Sequence, residues 1–167
     1  MKKALFTFLF YLLIPFAVPA QFTTAEIGVT GLTCPQCSRS VEKSIRTLEF
    51  VEDVKMNLEN AISTVYFKKG ADISIQKIAS AVKDAGFSVS TIKANYVFTN
   101  VVVPENKFIV QDKYSFYFLK SSGQTLNGET TMLFIEPRFM DKKNWEQWKK
   151  LMPENKSNTD FTYYVSL

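Results

Sequence analysis

An apolar run from Ala4 to Ile14 follows Lys2 and Lys3, and the rest of the chain settles into short segments of changing period. Val18-Pro19-Ala20 places small residues where a signal peptidase reads, so residues 1–20 are expected to be a secretory signal cleaved after Ala20. The run is shorter than the ~20 residues a membrane span needs, and Pro15 and Pro19 interrupt it. Beyond it, Ala25, Ile27 and Val29 alternate with Glu26, Gly28 and Thr30, the period of a strand with one face inward. Cys37, Val41, Ile45 and Leu48 then recur at helical spacing, with Arg39, Glu42, Lys43 and Arg46 facing away. Val54, Met56 and Leu58, then Ser63, Val65 and Phe67, return to period two around Glu59-Asn60 and predict a hairpin. Ser74 caps a second helix with the stripe Ile75, Ile78, Val82 and Ala85, which Gly86 ends in a left-handed conformation before Phe87. A strand from Ser88 to Ile92 completes the order β-α-β-β-α-β. That order predicts a ferredoxin-like sandwich over residues 21–94.

From Asn95 onward the pattern is β-branched and aromatic. Runs at 96–103, 107–111, 114–119, 129–135 and 161–167 are separated by turn chemistry at Pro104-Glu105-Asn106, Ser121-Ser122-Gly123 and Asn127-Gly128. One helix is expected from Asp141 to Leu151, with Trp145, Trp148, Leu151 and Met152 on one side. The α+β fold is therefore expected to continue into a small β-rich domain over residues 95–167, an open barrel of the OB kind or a small sandwich.

Charge narrows the function classes. The 167 residues carry 20 Lys and Arg against 16 Asp and Glu, a formal charge of +4 that loses Lys2 and Lys3 with the signal. Nothing strongly basic remains to point to nucleic acid. The absence of histidine removes a histidine base, a cysteine-histidine dyad and a Cys2His2 site, so no enzymatic role is expected.

The chemistry concentrates in Gly31-Leu32-Thr33-Cys34-Pro35-Gln36-Cys37, where the only two cysteines stand at the start of the first helix. Pro35 fits the first helical turn and Thr33 is a plausible cap. Free N–H groups at such a start favour the thiolate, which is the metal ligand and the nucleophile. A disulfide closing so small a loop would constrain the unfolded chain little, so the pair is better explained by chemistry than by stapling.

This motif, followed by Val41-Glu42, Val54, Val65 and Ala85-Gly86-Phe87, resembles the heavy-metal-associated domain of copper chaperones, copper-transporting ATPases and the periplasmic mercuric-ion binding protein. The resemblance covers about residues 24–94. Together with the expected signal at 1–20, it implies an exported protein of a bacterial periplasm or cell envelope that holds a soft metal between Cys34 and Cys37 for delivery or sequestration. Its expected partner is a metal-transporting membrane protein or another cysteine-pair metallochaperone. Leu32 stands where the family usually has Met, and Phe87 where many members have Tyr. The Met packs under the loop, so Leu32 reads as a tolerated apolar replacement.

Two thiolates without nitrogen or hard oxygen partners suit copper(I) first and mercury(II) equally in kind, while structural zinc wants four closed ligands. A thiol-disulfide oxidoreductase using the same pair is the competing reading. Against it, Thr33 replaces the usual aromatic residue before the first cysteine, and residues 64–92 contain no proline to flank the site. Met132, Met140 and Met152 are scattered and are expected to pack rather than bind metal. Trp145 and Trp148 are expected to be core or interface anchors. Asn155-Lys156-Ser157 matches a glycosylation triplet, a pattern that also arises by chance.

Overall fold

The computed structural model describes residues 21–121, 123–154 and 161–167. The expected signal at 1–20 and the triplet at 155–157 lie outside the described residues. In chain order the elements are β1 (Phe22–Thr30), α1 (Pro35–Arg46), β2 (Val51–Asn57), β3 (Ile62–Phe67), α2 (Ile75–Asp84) and β4 (Ser88–Val102). They continue with β5 (Phe108–Gln111), β6 (Tyr114–Phe118), β7 (Thr125–Phe134), α3 (Lys142–Trp148) with a following 3-10 turn (Lys149–Leu151), and β8 (Thr162–Ser166). The first six elements have the expected β-α-β-β-α-β order. Val41 and Ile45 of α1, and Ile78 and Val82 of α2, are buried as their spacing predicts.

The second half departs from an OB-like barrel. Its strands extend the first half's sheet into one eight-stranded mixed sheet, β2-β3-β1-β4-β7-β8-β6-β5, with only β6 and β8 parallel. The expected boundary at Asn95 falls inside β4, whose 15 residues pair with β1 from Ser88 to Tyr96 and with β7 from Lys93 to Val102, so that Asn95 is held on both sides. Asn127-Gly128, expected as a turn, lies within β7. Gly128 has φ +88° opposite Phe98, where Asn100 has φ +48° and β4 carries an extra residue, so the turn chemistry serves a bulge.

Bulges also decide what faces inward. An extra residue in β1 between Phe22 and Thr24 puts Phe22 on the same face as Ala25, Ile27 and Val29, because one residue inserted into a period of two reverses every side chain beyond it. An extra residue in β4, opposite the step from Gly28 to Val29, does the same for Val89 relative to Ile92, Ala94, Tyr96 and Phe98.

The sheet is rolled. β1 and β6 stand four places apart in strand order, which in a flat sheet means roughly 19 Å at the usual inter-strand spacing. Yet the Phe22 ring lies 4.9 Å from Tyr114 and 6.1 Å from Phe116 of β6, besides 4.8 Å from Tyr96, 6.0 Å from Phe134 and 6.3 Å from Tyr163. Most of these pairs are edge-on, the arrangement that aromatic quadrupoles favour. Tyrosines of the second half also serve the first. Tyr114 Oη accepts from Ile73 N at 2.8 Å and Tyr163 Oη from Ile75 N at 3.2 Å, while Ser74 Oγ accepts from Lys77 N at 3.3 Å as its position predicts. Three donors around the start of α2 are thereby satisfied.

The opposite face of β6 and β8 is covered by α3. Trp145, Trp148 and Met152 pack on Tyr117, Leu119, Ile135, Met140 and Tyr164, in line with the anchor role expected for the tryptophans. Met132 and Met140 are buried, as expected of packing residues.

The aromatic core generates two mutational predictions of opposite sign. Burial pushes the Tyr96 and Tyr114 phenols up, so both stay neutral at ordinary pH. The Tyr96 hydroxyl finds no hydrogen-bond partner among the described residues, whereas Tyr114 accepts one. Tyr96→Phe is therefore expected to raise stability, and Tyr114→Phe to lower it by about 1–3 kcal/mol, in urea unfolding followed by circular dichroism. Residues 21–94 hold the four strands and both helices of the ferredoxin-like unit, and we propose that they fold alone. Cutting after Ala94 strips Tyr96, Tyr114 and Phe116 from around Phe22, so the fragment should unfold at a lower urea midpoint than the whole chain. A fragment without cooperative unfolding would show that the second half is indispensable to the core.

Candidate metal centre

The loop between β1 and α1 begins with Gly31 at φ +86°, a left-handed conformation that a residue with a Cβ adopts at a cost. Thr33 N donates to Gly31 O at 2.9 Å and tightens the turn, and Leu32 is buried in the core beneath it, as expected of the apolar replacement. Thr33 is exposed and is not the cap. Cys34 takes that place: its backbone is extended, and its Sγ accepts from Cys37 N at 3.1 Å, as an oxygen does in an ordinary N-cap. Pro35 follows in the first turn as expected.

Cys34 and Cys37 are joined as a disulfide with their Cα atoms 5.3 Å apart. Both are half-buried, and Cys37 packs against the main core. The first turn of α1 holds no acidic residue, so nothing within it opposes the positive helix end. Ser38, a residue the hydrophobic pattern passes over, is buried behind the pair, its N–H donating to Cys34 O at 3.2 Å. Its only sequence signal is its position one residue after Cys37, on the inward side of the helix. Among the described residues, no group of three or more His, Cys, Asp or Glu side chains comes together, so the donor set at this loop is the two sulfurs.

The far end of α1 is pinned. Arg46 Nε donates to Glu42 at 2.8 Å, and its Nη2 lies 2.7 Å from Asp53 and donates to Val54 O at 2.7 Å. The guanidinium holds the Asp53 carboxyl below the usual carboxylate range and is itself pushed up by its two partners. This contribution to stability is present above the ordinary carboxylate range and is lost as pH falls through the lowered value. All three groups are substantially exposed, so the effect is small.

Residues 26–88 match the heavy-metal-associated domain family. A mercuric transport protein periplasmic component from Serratia marcescens is 34% identical over 91 residues, covering 54% of this chain and 99% of that protein. The chain belongs to the heavy-metal-associated domain family. A second relative, copper-transporting ATPase 1 of Rhizobium meliloti, is 41% identical over 70 residues, 42% of this chain. There the chain spans 8% of the relative's length. The crystal structure of oxidized MerP from Ralstonia metallidurans CH34 is 35% identical over 42% of this chain and 94% of its own, with a TM-score of 0.36, which adds nothing to the sequence match. This heavy-metal-associated domain thus carries more than its family's matched segment. The segment ends inside β4, and β5 to β8 and α3 all lie beyond it.

Gly31 yields the prediction for this loop. The position a Cβ would occupy lies 3.9 Å from Phe87 Cδ1, an ordinary contact, so the cost of Gly31→Ala comes from the backbone alone. It should be about 1–2 kcal/mol, read as a lower urea midpoint with an unchanged slope.

Proposed function

We propose that this exported protein binds one soft metal ion, copper(I) in the first place and mercury(II) as the alternative, between the reduced sulfurs of Cys34 and Cys37, and passes it to another cysteine pair. The observation that carries the reading is the loop itself: two sulfurs at a helix start, a backbone N–H already directed at one of them, and no other cysteine or histidine in the chain. Soft donors in that number suit a low-coordinate soft ion. The disulfide supplies a condition. Two electrons and two protons from an external thiol reductant open it, and the thiols then lose their protons as the metal binds.

A site of two sulfurs leaves one side open, so an incoming thiolate can attack the metal without prior dissociation. That property favours delivery or handover over permanent storage. The periplasmic description of the Serratia relative, together with the apolar N-terminal run, supports an exported position. A metal-transporting membrane protein or a cysteine-pair chaperone is the partner this reading implies. We read the protein as a binding module rather than an enzyme.

Anaerobic copper(I) titration of the reduced protein against a competing chelator is expected to saturate at one equivalent. The oxidised protein, and the Cys34→Ser, Cys37→Ser double variant with unchanged circular dichroism, are expected not to bind. Undiminished binding by the double variant would sink the assignment. Reduction of insulin disulfides by the metal-free protein is expected to be negligible, and turnover abolished by Cys34→Ser would favour the oxidoreductase instead.

A further inference from the structure

Beside the cysteine loop, a groove of about 670 Å³ opens between the last turn of α2, the start of β4 and the segment from Pro137 to Lys142. Its apolar lining comes from Ala79, Phe87, Val89 and Met140. Its rim carries the exposed cations Lys83, Arg138 and Lys142. Of the neighbouring carboxylates, Asp141 in the lining accepts from Asn144 N and Nδ2, neutral donors that do not offset its charge, Glu136 pairs with Arg138 Nε at 3.1 Å, and Asp84 is exposed beside Lys83. Lys83 and Lys142 form no ion pair among the described residues. The wall from the second half is tied to the first by Asp141 N donating to Ser90 O at 3.2 Å.

Position gives the groove its meaning. Thr30, in its lining, directly precedes Gly31, and the ring of Phe87, also in the lining, stands 3.9 Å from where a Cβ on Gly31 would lie. The groove thus reaches the end of β1 from which the loop with Cys34 and Cys37 departs. An apolar floor under a rim with two unpaired lysines, Lys83 and Lys142, is complementary to a chain segment with carboxylates flanking an apolar side chain: the charges steer the encounter and set its register, and the buried apolar contact slows its release.

We propose that this groove docks an acidic segment, with an apolar anchor, of the protein that exchanges metal with Cys34 and Cys37. The identity of the partner rests on the metal-exchange reading; the chemistry of the groove does not. The test is fluorescence anisotropy with a short labelled peptide of alternating glutamate and leucine. Saturable binding that weakens with salt is expected, and a matching peptide with lysine for glutamate should not bind. Lys83→Glu with Lys142→Glu should weaken binding by about tenfold or more, and Lys83→Gln with Lys142→Gln by less. Both pairs should keep the circular dichroism and the copper(I) stoichiometry of the parent. The Cys34→Ser, Cys37→Ser variant should bind the peptide unchanged, so loss of the metal reading would leave the groove standing. Equal peptide affinity in the charge-reversed variant, equal binding of the lysine peptide, or displacement by inorganic phosphate as readily as by unlabelled peptide would overturn the proposal.

Discussion

Keeping Phe22 out of water is the constraint on which the rest of the molecule depends. It stands at the first position of β1, a strand paired on both sides, and at that end of the strand a ferredoxin-like unit alone would leave the ring at the margin of its core. Here rings from β4, β6, β7 and β8 surround it, and they can reach it only if the sheet rolls through four strand positions. The bulges in β1 and β4 follow from the same need, since each resets the inward face or bends the strand. The helices benefit indirectly: the roll carries Tyr114 and Tyr163 to the start of α2, where their hydroxyls take up backbone donors that would otherwise be stranded.

The first half was legible because its signals are local. Period, caps and Gly86 mark α1 and α2 within two residues, while β2 begins at Val51, three residues before the expected Val54, and leaves Leu58 exposed in the turn; Cys34 and Cys37 are the cysteines the sequence offers for soft-metal chemistry. The continuity of β4 was not legible. Ser88 to Ile92 and Tyr96 to Val103 read as separate strands although Ile92, Ala94, Tyr96 and Phe98 alternate without a break, because Lys93-Ala94-Asn95 lacks the β-branched and aromatic residues that mark a strand; elsewhere a bulge and a turn use the same residue types. Asn127-Gly128 misled for that reason: its positive φ is real, but it serves a strand that bends rather than one that ends. Long-range pairing such as β4 with β7, or β6 with β8, leaves no mark in a short window. The cap was misplaced by one residue, since sulfur is not among the usual capping atoms.

That displacement has chemical content. With Cys34 as the cap, one sulfur is both a structural acceptor and the candidate ligand, so the first turn of α1 is organised by the same atom that would hold the metal. A thiolate or metal thiolate would keep lone pairs for the Cys37 N–H, so the helix start would not need to be rebuilt if a metal were bound there.

The strand order also determines which backbone edges remain open. A ferredoxin-like unit alone would end its sheet on β4; here β7 occupies that side, and the sheet instead terminates at β2 and β5. β5 is four residues long, with Lys107 before it and Lys113 in the turn after it, and β2 presents Glu52 and Lys55 to solvent. Short length at β5, which nevertheless exposes Phe108 and Val110, and charge along β2 disfavour strand-to-strand association between copies. Copies of the protein thereby have little to join them through the margins of the sheet.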